Sequence, residues 1–167
     1  MARRVMLSRL VQAKIELGKD EIIRSLWDKE QQKWYFSVVD FIGVITKSKD
    51  PFDTMKKIRK RERDLGHFWK EITTLLPYKT VGGVQDLIFS DTKGILRILQ
   101  AIPSRSAEII KRWIASFASA AIYGLTKENQ EVDIASVYND PQFAELTQKV
   151  TEIKRNLEEQ VKKESNG

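Results

Sequence analysis

Cysteine is missing from these 167 residues, and histidine occurs once. The first absence excludes disulfide frameworks, thiolate zinc sites and cysteine nucleophiles, and it agrees with a reducing compartment. The second leaves His67 as the sole imidazole for general-base chemistry. Beside Phe68 and Trp69, with no serine in a nucleophile motif near it, His67 reads as a surface or core filler. The chain has no GxxxxGK phosphate loop and no GxGxxG fingerprint, so Gly82-Gly83 reads as a turn. Asp86, Asp91 and Glu108 match no ligand spacing for magnesium. A non-enzymatic protein without cofactor or metal is therefore expected. No segment approaches the ~20 apolar residues that span a bilayer. The longest apolar run of the basic N-terminus, Val5-Met6-Leu7, is too short for a signal-peptide core. A cytoplasmic location with no membrane contact is the expectation.

What the chain does have is positive charge, unevenly placed. The formal net charge is +6, with 41% of residues hydrophobic, enough for one core without metal or disulfide support. From Met1 to Leu125 the balance is 23 basic to 14 acidic, and from Thr126 to Gly167 it is 6 to 9. A basic body with an acidic tail points to nucleic acid or an acidic protein surface as partner. The excess is sharpest from Lys47 to Asp64, where eight Lys or Arg meet four Asp or Glu in eighteen residues.

Periodicity divides the chain into four parts. Residues 1–20 read as a basic helical extension, because Met6, Leu7, Leu10 and Val11 fall at helical spacing and Gly18 can end a helix. Residues 21–125 read as an α+β domain. Its β-branched and aromatic runs IIRSLW and KWYFSV, joined by the polar DKEQQ, predict a hairpin over 21–37, and YKTVGGVQDLIF predicts a second near 78–90. Several helices pack with this small antiparallel sheet. Ser37 caps an apolar helix with Asp40 in its first turn. Asp50-Pro51 starts a helix carrying Phe52, Met55, Ile58 and Leu65 on one stripe. His67 to Leu76 is expected as a short helix closed by Pro77, Lys93 to Ile102 as another, and Ser106 starts a third that Gly124 stops. Residues 126–138 form an acidic linker. Residues 139–163 form an amphipathic C-terminal helix whose Phe143, Leu146, Val150, Ile153 and Leu157 make a heptad seam of fewer than four repeats. The seam can fold back on its own domain or pair with a second chain; pairing, and so a homodimer, is the expectation.

Lys56, Lys57, Arg59, Lys60, Arg61 and Arg63 cover the faces that the apolar stripe leaves free. Cations at successive turns can neutralise phosphates along a duplex, with Arg59 and Arg63 one turn apart for base edges. The competing reading is a solvated face held by pairs such as Asp53 with Lys57 and Arg59 with Glu62. Arg97, Arg105, Lys111 and Arg112 form a secondary basic set. Trp34 and Phe36 alternate with Tyr35, so one strand face carries two aromatics that either pack in the core or stack on unpaired bases; core packing is expected.

The ordered segments EIIRSLWD, KWYFSVVDFIGVITKSKDP, IRKRERDLG, DTKGILRILQAIPS and AEIIKRW closely resemble the BRO N-terminal domain of prophage antirepressors and DNA-damage-inducible protein D, over residues 21 to 118. The resemblance implies an α+β domain of phage or mobile-element origin. It also implies regulation of transcription or of a DNA-damage response, directed at DNA or at a repressor protein, without known catalysis. Between Gly66 and Asp91 the chain departs from the family's polar, cysteine-containing stretch, and no family residue transfers as a binding position. The expectation is a regulator that binds DNA through its basic helix, with an antirepressor that binds a repressor and no DNA as the alternative.

Overall fold

The computed structural model describes residues 8–126 and 141–166. Strands β1 (Leu10–Gly18), β2 (Glu21–Asp28) and β3 (Lys33–Ser37) lead into helices α1 (Val38–Thr46), α2 (Pro51–Arg61) and α3 (Arg63–Ile72). A hairpin of β4 (Thr74–Thr80) and β5 (Gly83–Asp91) follows, then α4 (Thr92–Gln100), α5 (Arg105–Thr126) and α6 (Pro141–Ser165). The sheet is antiparallel with order β1-β2-β3-β5-β4. This is the expected α+β architecture, with hairpins at both predicted places and a C-terminal helix.

Three local expectations are corrected. Residues 10–18 are the first strand of the sheet, not part of a helical extension: Val11, Ala13 and Ile15 are buried with period two. Gly18 sits at a register shift in the hairpin, where the positive φ of Asp20 makes the turn into β2. The helix expected over 67–76 runs instead from Arg63 to Ile72, and Leu75 and Leu76 belong to β4. Pro77 therefore lies inside a strand, which an edge strand tolerates because its outward N–H has no ladder partner to lose. The helix expected to start at Ser106 starts at Arg105, with Ser104 Oγ accepting the Ala107 N–H at 3.1 Å, and α5 continues through Gly124, where it was expected to stop, to Thr126. The rest of the expected linker lies outside the described residues.

Other boundaries follow from local chemistry. Ser37, Asp50 and Asp91 cap α1, α2 and α4 by accepting the N–H of Asp40, Asp53 and Gly94. The main core lies among the helices: Val38, Ile42 and Ile45 of α1 meet Met55 and Ile58 of α2, Leu65 and Trp69 of α3, and Ile98 and Leu99 of α4. The stripe of α2 thus continues onto α3, but Glu62 is extended (φ −93°, ψ 90°) and breaks the helix, so the stripe wraps around the core. The close turn needs Gly66, where a Cβ would lie 3.0 Å from the Arg59 carbonyl oxygen.

The opposite face of the sheet gathers Leu10, Leu26, Tyr35, Phe89, Leu76 and Tyr78, with contributions from all five strands. Such a cluster requires the sheet to roll, and its two edge strands do approach. Gln12 of β1 pairs with the backbone of Lys79 in β4, accepting its N–H at 2.6 Å and donating to its carbonyl at 3.3 Å. Tyr78 donates to the Ala13 carbonyl beside it. A side-chain amide here substitutes for a strand ladder. Along β1, Gln160 of α6 repeats the device on Lys14, with both hydrogen bonds at 2.9 Å. Leu157 is buried there with Ala13, Ile15 and Ile23, and Ile153 packs beside them. Leu157 and Ile153, expected at a dimer seam, are thus docked within the chain, because β1 offers both an apolar face and an unpaired edge. The side chains of Phe143, Leu146 and Val150 lie outside the described residues.

Candidate nucleic-acid interface

Helix α2 presents its charge as the sequence predicts on one side and not on the other. Lys56, Lys57, Lys60 and Arg63 are exposed. Lys57 Nζ lies 2.7 Å from Asp53 Oδ2 one turn back, and that hydrogen bond raises its pKa above the ordinary lysine value. Among the described residues, Lys56, Lys60 and Arg63 have no ion-pair partner. Lys56 instead lies over the ring of Phe52, 4.6 Å from its centroid.

Arg59 and Arg61 turn inward. The Arg59 guanidinium stacks over Trp69 at 4.7 Å and is half-buried, with Nε out of hydrogen-bonding reach of any described group. Arg59 was expected to reach a base edge; it holds α2 against α3 instead. The expected pair of Arg59 with Glu62 is replaced by Arg61 Nε to Glu62 at 3.7 Å. Arg61 also reaches across to α4, donating from Nη2 to the Ala101 carbonyl at 2.8 Å.

The secondary basic set divides in the same way. Lys111 Nζ donates to the Ile102 carbonyl at 2.8 Å. Folding therefore does bring the two sets together, with Arg61 and Lys111 on adjacent carbonyls at the C-terminal end of α4. Two cations there satisfy orphan carbonyls and oppose the negative end of the helix dipole. Arg105 opens α5 at the end of that same loop and is exposed, as is Arg112; Arg97 is half-buried on α4.

The interface that remains is a patch of four lysines and arginines flanked by two exposed aromatics. Phe52, expected on the packed stripe with Met55, Ile58 and Leu65, is instead 48% exposed, and Phe68, to which the sequence assigned no role, is 47% exposed. Phe52 keeps the spacing of the stripe but stands at the first turn of α2, where the packing against the core has not begun.

The strand aromatics behave as alternation demands. Tyr35 faces the rolled interior, while Trp34 and Phe36 stack with centroids 6.4 Å apart on the helix-bearing face. Among the described residues no group of three or more His, Asp or Glu is placed to hold a metal ion, and no helix is long and apolar enough to cross a membrane. His67 is exposed, edge-on to Phe68 at 5.1 Å. Comparison with protein-family models, with curated proteins and with solved structures returned no match.

Proposed function

We propose that this protein is a non-enzymatic regulator that binds duplex DNA through Lys56, Lys57, Lys60 and Arg63. The observation that carries this reading is the solvent-facing placement of these four cations, three of them without an ion-pair partner among the described residues, on the α2–α3 elbow. Unpaired cations on a helix retain their full charge for phosphate, and each neutralised phosphate releases condensed counterion. Contacts of that kind position a protein on DNA without specifying sequence. Mobility-shift titrations from about 50 to 200 mM salt test the reading. The triple variant Lys56→Gln, Lys60→Gln, Arg63→Gln is expected to flatten the log–log salt dependence by about 2.7, at about 0.9 per phosphate. Absence of binding at 50 mM salt, or an unchanged slope in the variant, refutes it.

One observation favours a second reading, an antirepressor acting on a protein. Phe52 is half-exposed beneath Lys56, and Phe68 is half-exposed on α3, and apolar anchors near cations suit an acidic protein surface better than a phosphate backbone. A purified repressor that binds the protein stoichiometrically, and is lost with Phe52→Ser and Phe68→Ser while no DNA is shifted, decides for it.

A further inference from the structure

A pair of tryptophans lies at the other end of α4 from Arg61 and Lys111. Trp27 and Trp34 face each other across the β2–β3 hairpin, in register, with ring centroids 5.4 Å apart and planes inclined at 52°. Phe36 continues the row beyond Trp34. Phe36 and Trp34 join the buried clusters, but among the described residues Trp27 joins none, although it is half-buried. The two indoles open onto a pocket of about 280 Å³ whose rim carries Lys33, Asp91 and Lys93. That volume is just under the ~300–1,000 Å³ of pockets for drug-sized ligands, and so suits one planar ring system.

The rim decides what kind of ring. Asp91 has both oxygens engaged: Oδ1 accepts the Gly94 N–H at 2.9 Å, and Oδ2 lies 3.6 Å from Lys33 Nζ. Lys93 is exposed and has no ion-pair partner among the described residues. Two lysines against one carboxylate leave the rim net positive, with Lys33 paired and Lys93 not, so the charge disfavours the cationic ligands that aromatic cages hold and selects an anionic occupant. A nucleotide combines a planar aromatic body with an attached anion.

We infer that the Trp27–Trp34 pocket takes an unpaired base of single-stranded nucleic acid, with its flanking phosphates on Lys33 and Lys93. Bases in a duplex hide their faces in the stack, whereas a single strand can lay one on an indole, and such stacking tolerates any base. From Lys93 the strand direction continues along α4 past Arg97, a helix of nine residues and about 13 Å, toward Arg105. The site does not depend on duplex binding by α2, which occupies a different surface.

Fluorescence anisotropy on the full chain tests this, with a labelled thymidine 12-mer and a 12-mer of the same backbone whose central nucleotides are abasic. The wild type is expected to prefer the base-bearing strand by about tenfold or more. Trp34→Ala and Trp27→Ala are expected to abolish the preference while leaving abasic affinity in place. The double variant Lys33→Gln, Lys93→Gln should weaken both strands and lessen their salt dependence. Equal affinity of the wild type for the two strands, or a preference that survives Trp34→Ala, overturns the inference. If circular dichroism shows an alanine variant unfolded, the wild-type comparison and the milder Trp34→Phe decide alone. A duplex probe in the same titrations separates the two sites: loss of duplex binding with the base preference intact refutes the α2 reading and supports this one.

Discussion

Lys60 and Arg61 are neighbours in the chain and do opposite things. Lys60 points to water with no partner among the described residues, whereas Arg61 crosses to α4 and holds the Ala101 carbonyl. The same division runs through their neighbours. Lys56, Lys60 and Arg63 face outward, while Arg59 lies on Trp69 and Lys111 on the Ile102 carbonyl. A basic run is therefore not one functional unit. Its inward members join helices and its outward members are available to a polyanion, so the two groups must answer differently to mutation.

The inward group extends to the sheet, where the largest effect is expected. Arg24 of β2 makes a two-pronged pair with Asp40 of α1 at 2.6 and 2.7 Å, and its backbone N–H also bonds Asp40 Oδ2 at 3.0 Å. Strand β3 ends at Ser37, so Asp40 takes over where the ladder would have continued. The hydrogen bonds to Asp40 raise the Arg24 pKa further, against the effect of its partial burial. Asp40→Ala leaves a partly buried guanidinium and a backbone N–H unpaired, at a cost of about 2–3 kcal/mol. Thermal unfolding monitored by circular dichroism should show a fall of about 5–10 °C in Tm. Asp40→Asn, which keeps an acceptor, should fall less. A Tm within 1–2 °C of wild type for Asp40→Ala would mean that this pair does not join the layers.

Arg61→Met comes next. Its guanidinium is half-exposed, so losing the bond to Ala101 should cost only about 1 kcal/mol, and duplex affinity should stay within about twofold of wild type. Lys111→Met should behave alike. A large loss of DNA binding without loss of stability in either variant would break the distinction between inward and outward cations. The outward triple, Lys56→Gln, Lys60→Gln and Arg63→Gln, should reverse the pattern: unfolding free energy within about 0.5 kcal/mol of wild type, with the salt dependence of duplex binding flattened.

How far this division was legible in the sequence depends on the distance over which each signal acts. Asp50-Pro51 and Ser37 marked helix starts because a cap and its N–H are three residues apart. Tyr35 against Trp34 and Phe36 was legible because alternation is a property of the strand itself. The orientation of Arg59 depends on Trp69, ten residues on, across a break at Glu62 that nothing between Lys60 and Asp64 announces. That of Arg61 depends on a carbonyl forty residues away. β1 was misread because Leu10 and Val11 are adjacent and Ala13 is small, which hides a period of two behind a helical one. Trp27 was overlooked although the hairpin already expected over 21–37 pairs it with Trp34 once the turn is centred on Glu30 and Gln31. The C-terminal seam has a period that two helices or a helix and a sheet can both satisfy, and at Ile153 and Leu157 the strand edge at Lys14 decides for the sheet.

The smallest expected effect is a pH response at the inward side of Arg24. Its guanidinium lies 6.0 Å from the centroid of Tyr78, whose hydroxyl donates to the Ala13 carbonyl and helps bring the sheet edges together. Burial raises the Tyr78 pKa above 10.0, with the nearby Arg24 charge opposing that rise. A raised pKa means that the folded state holds the phenolic proton more tightly than the unfolded chain. The resulting stability is fully present below the unfolded value near 10 and is lost as pH climbs through the folded one. An ionised Tyr78 also has no proton left to donate to Ala13. Urea unfolding at pH 8 and at pH 10.5–11 should therefore show a steeper alkaline loss in wild type than in Tyr78→Phe, the two curves running parallel below about pH 9. Parallel curves throughout would show that the fold holds the phenolic proton no more tightly than the unfolded chain does.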